Sequence, residues 1–136
     1  GKTGAQLMFF EGKESLGVWL AGVGDMNKDG IADFVVGDGN LHGEMFLYSG
    51  NSGNLLYEWK GKSADDGIGG AVAGGADFTG DKKPDLVIST PGYSAGGIDD
   101  QGRVECVTMD PFFLRLSEHD VDAGDWIERH RFGESP

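Results

Sequence analysis

The chain contains two copies of one unit, and this internal repeat restricts the fold more than any other feature of the sequence. Residues 17–25 read GVWLAGVGD and residues 69–77 read GGAVAGGAD, and an aspartate-rich loop and a short apolar run follow each of them. The copies continue in step, because residues 43–49 (GEMFLYS) correspond to residues 102–108 (GRVECVT). A period of roughly 50–60 residues predicts one supersecondary unit per copy.

The stretch before each unit is repeated as well. Residues 4–13 (GAQLMFFEGK) align with residues 53–62 (GNLLYEWKGK), and residues 124–131 form a fainter third copy. Each unit then holds four short strand-like runs, which is the pattern of a four-stranded propeller blade. We therefore predict one repeat domain over residues 1–136, divided into a first unit (4–50), a second unit (51–110) and a final insertion with a trailing strand (111–136).

The spacing of glycine disfavours helices. The chain has 25 glycines, each of which costs about 1 kcal/mol inside a helix, and its apolar runs are short and rich in Val, Ile and aromatic residues. Residues 111–121 are the one stretch in which we expect a turn or two of helix. The predicted fold class is all-β, with small residues such as Ala71 and Gly74 on the innermost strand of each blade.

Charge and cysteine content exclude several functional classes. The balance of 23 acidic against 11 basic residues gives a net charge of −12, which disfavours nucleic-acid binding because phosphates require clustered Lys and Arg. No apolar stretch approaches the ~20 residues needed to cross a bilayer, so no membrane insertion is expected. Cys106 is the single cysteine, which excludes an intrachain disulfide and a cysteine zinc cluster.

The first aspartate-rich loop, residues 25–33, has the spacing of a cation site. Oxygen side chains occupy loop positions 1, 3, 5 and 9, a glycine occupies position 6, and the carbonyl of the residue at position 7 is a further ligand. The predicted ligands are Asp25, Asn27, Asp29, Ile31 and Asp33. An oxygen-only set with three carboxylates favours Ca²⁺. An EF-hand is excluded, because Val36 occupies the position at which that motif needs a bidentate Glu.

The second loop, residues 77–85, repeats the spacing with one change. Its predicted ligands are Asp77, Thr79, Asp81, Lys83 (through its carbonyl) and Asp85. Lys82 replaces the glycine at position 6, which predicts a strained backbone and a cation near the site. We therefore expect the second loop to bind Ca²⁺ with lower affinity than the first.

These motifs together resemble the FG-GAP repeat of integrin α-subunit propellers. The resemblance is carried by the loop at 25–33 with the following FVVG, by residues 43–50, and by a second copy from Asp77 to Ile88; it covers residues 4–108. Leu16-Gly17 and Ile68-Gly69 lie where the family has its Phe-Gly element.

The resemblance implies a β-propeller in which structural Ca²⁺ joins the first and second strands of each blade. It further implies an extracellular or cell-surface module that binds a protein or a carbohydrate and is not an enzyme. Two blades leave apolar faces exposed, so we expect a partial propeller, a homo-oligomer that completes a ring, or an atypical sandwich.

Two alternatives remain open at this stage. A polysaccharide-active domain would use a carboxylate pair such as Asp99 and Asp100, although adjacent aspartates in a loop are ordinarily solvated. A self-assembling structural unit would have no ligand of its own. The glycine run at residues 67–72 is not read as a dinucleotide motif, because an aspartate loop and a strand follow it instead of a helix.

Overall fold

The structure, a computed structural model, describes residues 3–12, 15–39, 43–61 and 65–109. Within these ranges the chain forms seven β-strands and no helix, which confirms the all-β prediction. The strands are β1 (Leu16–Gly24), β2 (Asp33–Asp38), β3 (Glu44–Tyr48), β4 (Leu55–Lys60), β5 (Val72–Gly74), β6 (Asp85–Thr90) and β7 (Arg103–Thr108).

The strands form two antiparallel sheets with the simplest possible connectivity. The first sheet has the order β1-β2-β3-β4 and the second has the order β5-β6-β7, so sequential strands are always neighbours. Val35 lies opposite Ala21 on one side and Leu47 on the other, and in the second sheet Leu86 lies between Gly74 and Val107. The repeat in the sequence is therefore a repeat of meandering sheets, as in propeller blades.

The hydrophobic core lies between the two sheets. Alternation along β2 and β6 decides which side chains enter it, because successive residues of a strand point to opposite faces. The buried apolar residues are Val23, Met26, Val35, Met45, Leu47, Leu56, Trp59, Leu86, Ile88, Val107 and Met109. One face of the first sheet thus packs on one face of the second, and the described residues show no closed ring of blades.

Small residues at the ends of β1 and β5 allow the two sheets to approach closely at one edge. A Cβ atom on Gly24 would lie 3.3 Å from the Cα of Gly75, and both residues have positive φ angles, of 74° and 90°. A larger residue at either position would therefore be strained and crowded. The contact explains why small residues occupy these positions, and the expectation that β1 and β5 are the innermost strands of propeller blades stays a prediction.

The strand β4 belongs to the sheet of the first repeat, although it lies in the predicted second unit. β4 pairs with β3, so residues 16–60 form one sheet, whereas the predicted units end the first copy at residue 50. Residues 4–12, which align with the β4 region, are in no strand. The division of the chain at 4–50 and 51–110 stays a prediction, and the predicted helix at 111–121 and strand at 124–131 lie outside the described residues.

The N-terminal segment covers part of the outer face of the first sheet. The Phe10 ring lies 4.5 Å from the Tyr48 ring and 5.4 Å from the Phe34 ring, between centroids. Leu7 and Phe9 of the same segment are largely exposed. This outer face remains partly open, and Leu20 in its open part is largely exposed. Among the described residues, no helix has the length and apolar character required to span a bilayer.

Candidate metal centre

Each aspartate-rich loop connects the first two strands of its sheet, as the sequence predicts. The first loop leaves β1 and enters β2, and Asp25 and Asp33 at its ends draw its backbone inward. Asp25 accepts hydrogen bonds from the amides of Asp29 (3.0 Å) and Gly30 (2.9 Å). Asp33 Oδ2 accepts from the amides of Met26 (2.8 Å) and Asn27 (3.3 Å). The carboxylates therefore lie inside the curl, on its concave side.

The second loop uses the same design. Asp77 accepts hydrogen bonds from the amides of Gly80 (2.6 Å), Asp81 (3.1 Å) and Lys82 (2.7 Å). Asp85 Oδ2 accepts from two further amides, those of Phe78 (2.8 Å) and Thr79 (2.9 Å). The repeat is thus preserved to the level of individual hydrogen bonds, which explains why the spacing of the aspartates is the same in both copies.

The position-5 aspartate, Asp29 or Asp81, sits in a similar setting in both loops. Asp29 accepts from the Ile31 amide (2.9 Å), and Asp81 accepts from the Lys83 amide (2.9 Å). Burial raises the pKa of both carboxyls, but hydrogen bonds outweigh it and leave each pKa below its ordinary value. These donors include the two amides just named and the Thr108 hydroxyl at Asp81. Both side chains are therefore carboxylates at neutral pH, as a cation ligand requires.

The position-9 aspartate distinguishes the two loops. Asp33 is buried, and desolvation raises its pKa although it accepts hydrogen bonds from backbone amides. One of these comes from the Gly50 amide to Oδ1, at 3.0 Å. Asp85 is fully buried, and its Oδ1 accepts no hydrogen bond from any described residue. Such an oxygen is costly to bury unless another group approaches it.

Three carboxylates converge in the second loop. Asp77, Asp81 and Asp85 each offer an oxygen, and these oxygens lie within 4.8 Å of one another, so the group could hold a metal ion. The unpartnered Oδ1 of Asp85 and the oxygen-only composition of the group both fit a hard divalent cation. In the described part of the chain, Asp25, Asp29 and Asp33 do not form a comparable cluster.

In the first loop, hydrogen-bond donors of the protein already occupy carboxylate oxygens of Asp29 and Asp33. The Asn27 side-chain amide donates a hydrogen bond to Asp29 Oδ2 (3.0 Å), and the Gly50 backbone amide donates one to Asp33 Oδ1 (3.0 Å). The geometry therefore gathers carboxylates in the loop that the sequence ranks second. The predicted carbonyl ligands, those of Ile31 and Lys83, stay predictions, and both residues lie at equivalent positions of the two curls.

Two hydroxyl residues of the site are not among the residues that the sequence predicts. Ser49 and Thr108, at the ends of β3 and β7, donate hydrogen bonds from their hydroxyls to Asp29 Oδ2 (3.3 Å) and Asp81 Oδ2 (3.1 Å). The signal was present, because both residues occupy the last position of the aligned segments 43–49 and 102–108. This alignment does not by itself indicate a site residue, because the sequence does not show that the third strand of each sheet ends beside the aspartate loop.

The other acidic pair that the sequence raised as a catalytic candidate lies apart from these loops. Asp99 and Asp100 are exposed and follow a short turn closed by pairing between Ala95 and Ile98. The Asp100 amide donates to the Ser94 hydroxyl at 3.0 Å, which is a turn contact. This setting is that of ordinary solvated aspartates.

Comparison with known proteins finds a repeat family over the part of the chain that contains the second loop. Residues 68–104 match the FG-GAP repeat family. Mouse integrin alpha-E is 32% identical over 90 residues, which cover 54% of this chain and 8% of the integrin. The chain therefore corresponds to a small part of the length of this relative, and the resemblance to FG-GAP proteins seen in the sequence is confirmed.

Proposed function

We propose that this FG-GAP repeat protein is a β-propeller interaction module whose aspartate loops hold structural Ca²⁺. In this proposal it works outside the cell or at its surface and binds a protein or carbohydrate partner. The similarity to an integrin α-subunit supports the interaction role and the location. It also supports a binding module over an enzyme.

The observation that carries the calcium proposal is the buried carboxylate of Asp85. Its Oδ1 has no hydrogen-bond donor among the described residues, and one carboxylate oxygen of Asp85 lies within 4.8 Å of oxygens of Asp77 and Asp81. Three negative charges held this close repel one another unless a cation lies between them. Ca²⁺ is favoured over Mg²⁺, since it accepts six to eight oxygens at irregular angles, whereas Mg²⁺ needs near-ideal octahedral geometry.

The residues of each loop have distinct parts in this proposal. Asp25 and Asp77 close the curl through backbone amides, and Asp33 and Asp85 anchor it to the following strand. Bound calcium would supply positive charge at the centre of each curl. The proposed ligand set is Asp25, Asn27, Asp29, Ile31 and Asp33 in the first loop, and Asp77, Thr79, Asp81, Lys83 and Asp85 in the second.

Calorimetric titration with CaCl₂ tests this proposal on the intact chain after treatment with chelator. We expect two sites in the wild type and the loss of one in each of the variants Asp29→Asn and Asp81→Asn, which keep the shape of the side chain. Asp99→Asn is the matched control, because it removes the charge of an exposed aspartate outside the loops. Absence of calcium binding by the wild type, in calorimetry and in thermal melts, would contradict the proposal.

A further inference from the structure

Ser49 is a buried residue that lies outside the cation loop and yet contacts it. It follows β3 and is fully buried, and its hydroxyl donates to Asp29 Oδ2 at 3.3 Å. Twenty positions of sequence separate the two residues, so the contact is tertiary. It joins the loop to a strand that does not flank it.

The second repeat makes the same contact independently. Thr108 is the last residue of β7 and aligns with Ser49 in the repeat, and its hydroxyl donates to Asp81 Oδ2 at 3.1 Å. Asp81 is the position-5 aspartate of its loop, as Asp29 is of the first. Serine in one repeat and threonine in the other share only the hydroxyl and its placement, which indicates that the hydroxyl is the functional part.

The remaining hydrogen bonds of Ser49 fix the direction of its proton. Its Oγ accepts from the amides of Asn51 (3.3 Å) and Ser52 (3.2 Å). A hydroxyl has one donor and two lone pairs. Because both lone pairs of the Ser49 hydroxyl accept from amides, its proton points to Asp29. The three hydrogen bonds use the one donor and both acceptors of the hydroxyl.

The same residue organises the turn between β3 and β4. The Ser49 amide donates to the carbonyl of Asn54 (2.9 Å), and the Gly53 amide donates to the carbonyl of Ser49 (2.9 Å). The turn and the loop therefore share one hydrogen-bond network, and the exposed residues of the turn, Asn51, Ser52 and Asn54, lie at its outer end.

From this geometry we propose that Ser49 is a positioning residue that holds Asp29 for the cation and couples the loop to the β3–β4 turn. The inference rests on the proposed calcium function. A cation on Asp29 limits the movement of this carboxylate, and the Ser49 hydroxyl passes that restraint to the amides of Asn51 and Ser52. Calcium thereby orders an exposed turn that is not itself a ligand, and Thr108 holds Asp81 in the second repeat.

The test combines calcium affinity with hydrogen exchange of the turn amides. Ser49→Ala removes the hydroxyl, and we expect about tenfold weaker calcium binding at the first loop, which is the loss of one charge-assisted hydrogen bond. In the wild type, calcium should slow exchange at Asn51 and Ser52. In Ser49→Ala that calcium-dependent slowing should disappear. Ser52→Ala is the matched control, as it removes a hydroxyl of the same turn that accepts from the Asn54 amide.

A second pair of variants tests the second repeat and does not depend on the folding of Ser49→Ala. Thr108→Val keeps the shape and removes the hydroxyl, and Thr108→Ser keeps the hydroxyl and removes a methyl group. We expect about tenfold weaker binding at the second loop for Thr108→Val and near-normal binding for Thr108→Ser. If the two variants bind calcium with equal affinity while the wild type binds calcium, the inference is overturned and the proposed function still stands. A wild type that binds no calcium would overturn the inference and the proposed function together.

Discussion

Lysine and glycine exchange places between the two loops. Positions 4 and 6 both have positive φ in each curl: Lys28 has φ 57° and Gly30 has φ 92°, whereas Gly80 has φ 82° and Lys82 has φ 65°. The sequence predicted the strain at Lys82, because the motif requires glycine there, and the structure confirms it. It did not reveal the strain at Lys28, because position 4 contributes no predicted ligand and its conformation depends on how the curl closes.

The strain at Lys82 leads to a prediction for a single substitution. Lys82→Gly should stabilise the calcium-free protein by about 1 kcal/mol, because glycine adopts positive φ without a steric penalty. It should also tighten calcium binding at the second loop, since a cationic side chain leaves the site. Denaturant unfolding in chelator and calorimetry measure the two effects.

Lys82→Ala separates backbone strain from charge. Alanine removes the positive charge and keeps the Cβ atom, so the gain in stability should be absent while part of the gain in affinity remains. Equal stabilisation by glycine and alanine would show that backbone strain is not the cause.

The strands themselves were largely predictable from apolar runs between turn residues. Residues 34–36 and 86–88 were expected as strands directly after the loops, and they lie in β2 and β6. The sequence alone does not decide which segment supplies the fourth strand of the first sheet, since residues 4–13 and 53–62 have nearly the same pattern. A strand needs a neighbouring edge to satisfy its backbone, and only the later segment follows a third strand of the same sheet.

The N-terminal segment is predicted to stabilise the first sheet through one aromatic side chain. Phe10→Ala should lower the free energy of unfolding by about 1–2 kcal/mol, because the ring packs against Phe34 and Tyr48. Phe9→Ala is the control at the neighbouring position, since Phe9 is 68% exposed and should change stability by less than about 0.5 kcal/mol. Similar losses in both variants, measured by denaturant unfolding, would contradict this packing.

At the scale of the whole molecule, an apolar core joins the two sheets, and each sheet has a loop rich in negative charge between its first two strands. The formal net charge of −12 opposes compaction, and the loops concentrate part of that charge where three carboxylates converge. The spacing in the sequence predicts Asp77, Asp81 and Asp85 as ligands of one loop. It does not encode the full burial of Asp85 or the lack of a hydrogen-bond donor at its Oδ1, because both depend on how the loop packs in the fold.

Removal of calcium should therefore lower the stability of the whole fold. A ligand that binds only the folded state stabilises it by about 2.7 kcal/mol at a hundredfold excess over its dissociation constant, which corresponds to a rise in Tm of roughly 10 °C for a domain of this size. Melting curves in calcium and in chelator measure the change. Magnesium at equal ionic strength is the control for general charge screening, and an equal rise with magnesium would contradict a specific site.

A crystal structure obtained in calcium, with anomalous diffraction to locate the ions, tests the central claim most directly. The account predicts anomalous density inside the curls at residues 25–33 and 77–85, with carboxylate oxygens about 2.3–2.6 Å from each ion. Asp85 Oδ1 should be among the ligands in the second loop. Curls without density under saturating calcium would contradict the account.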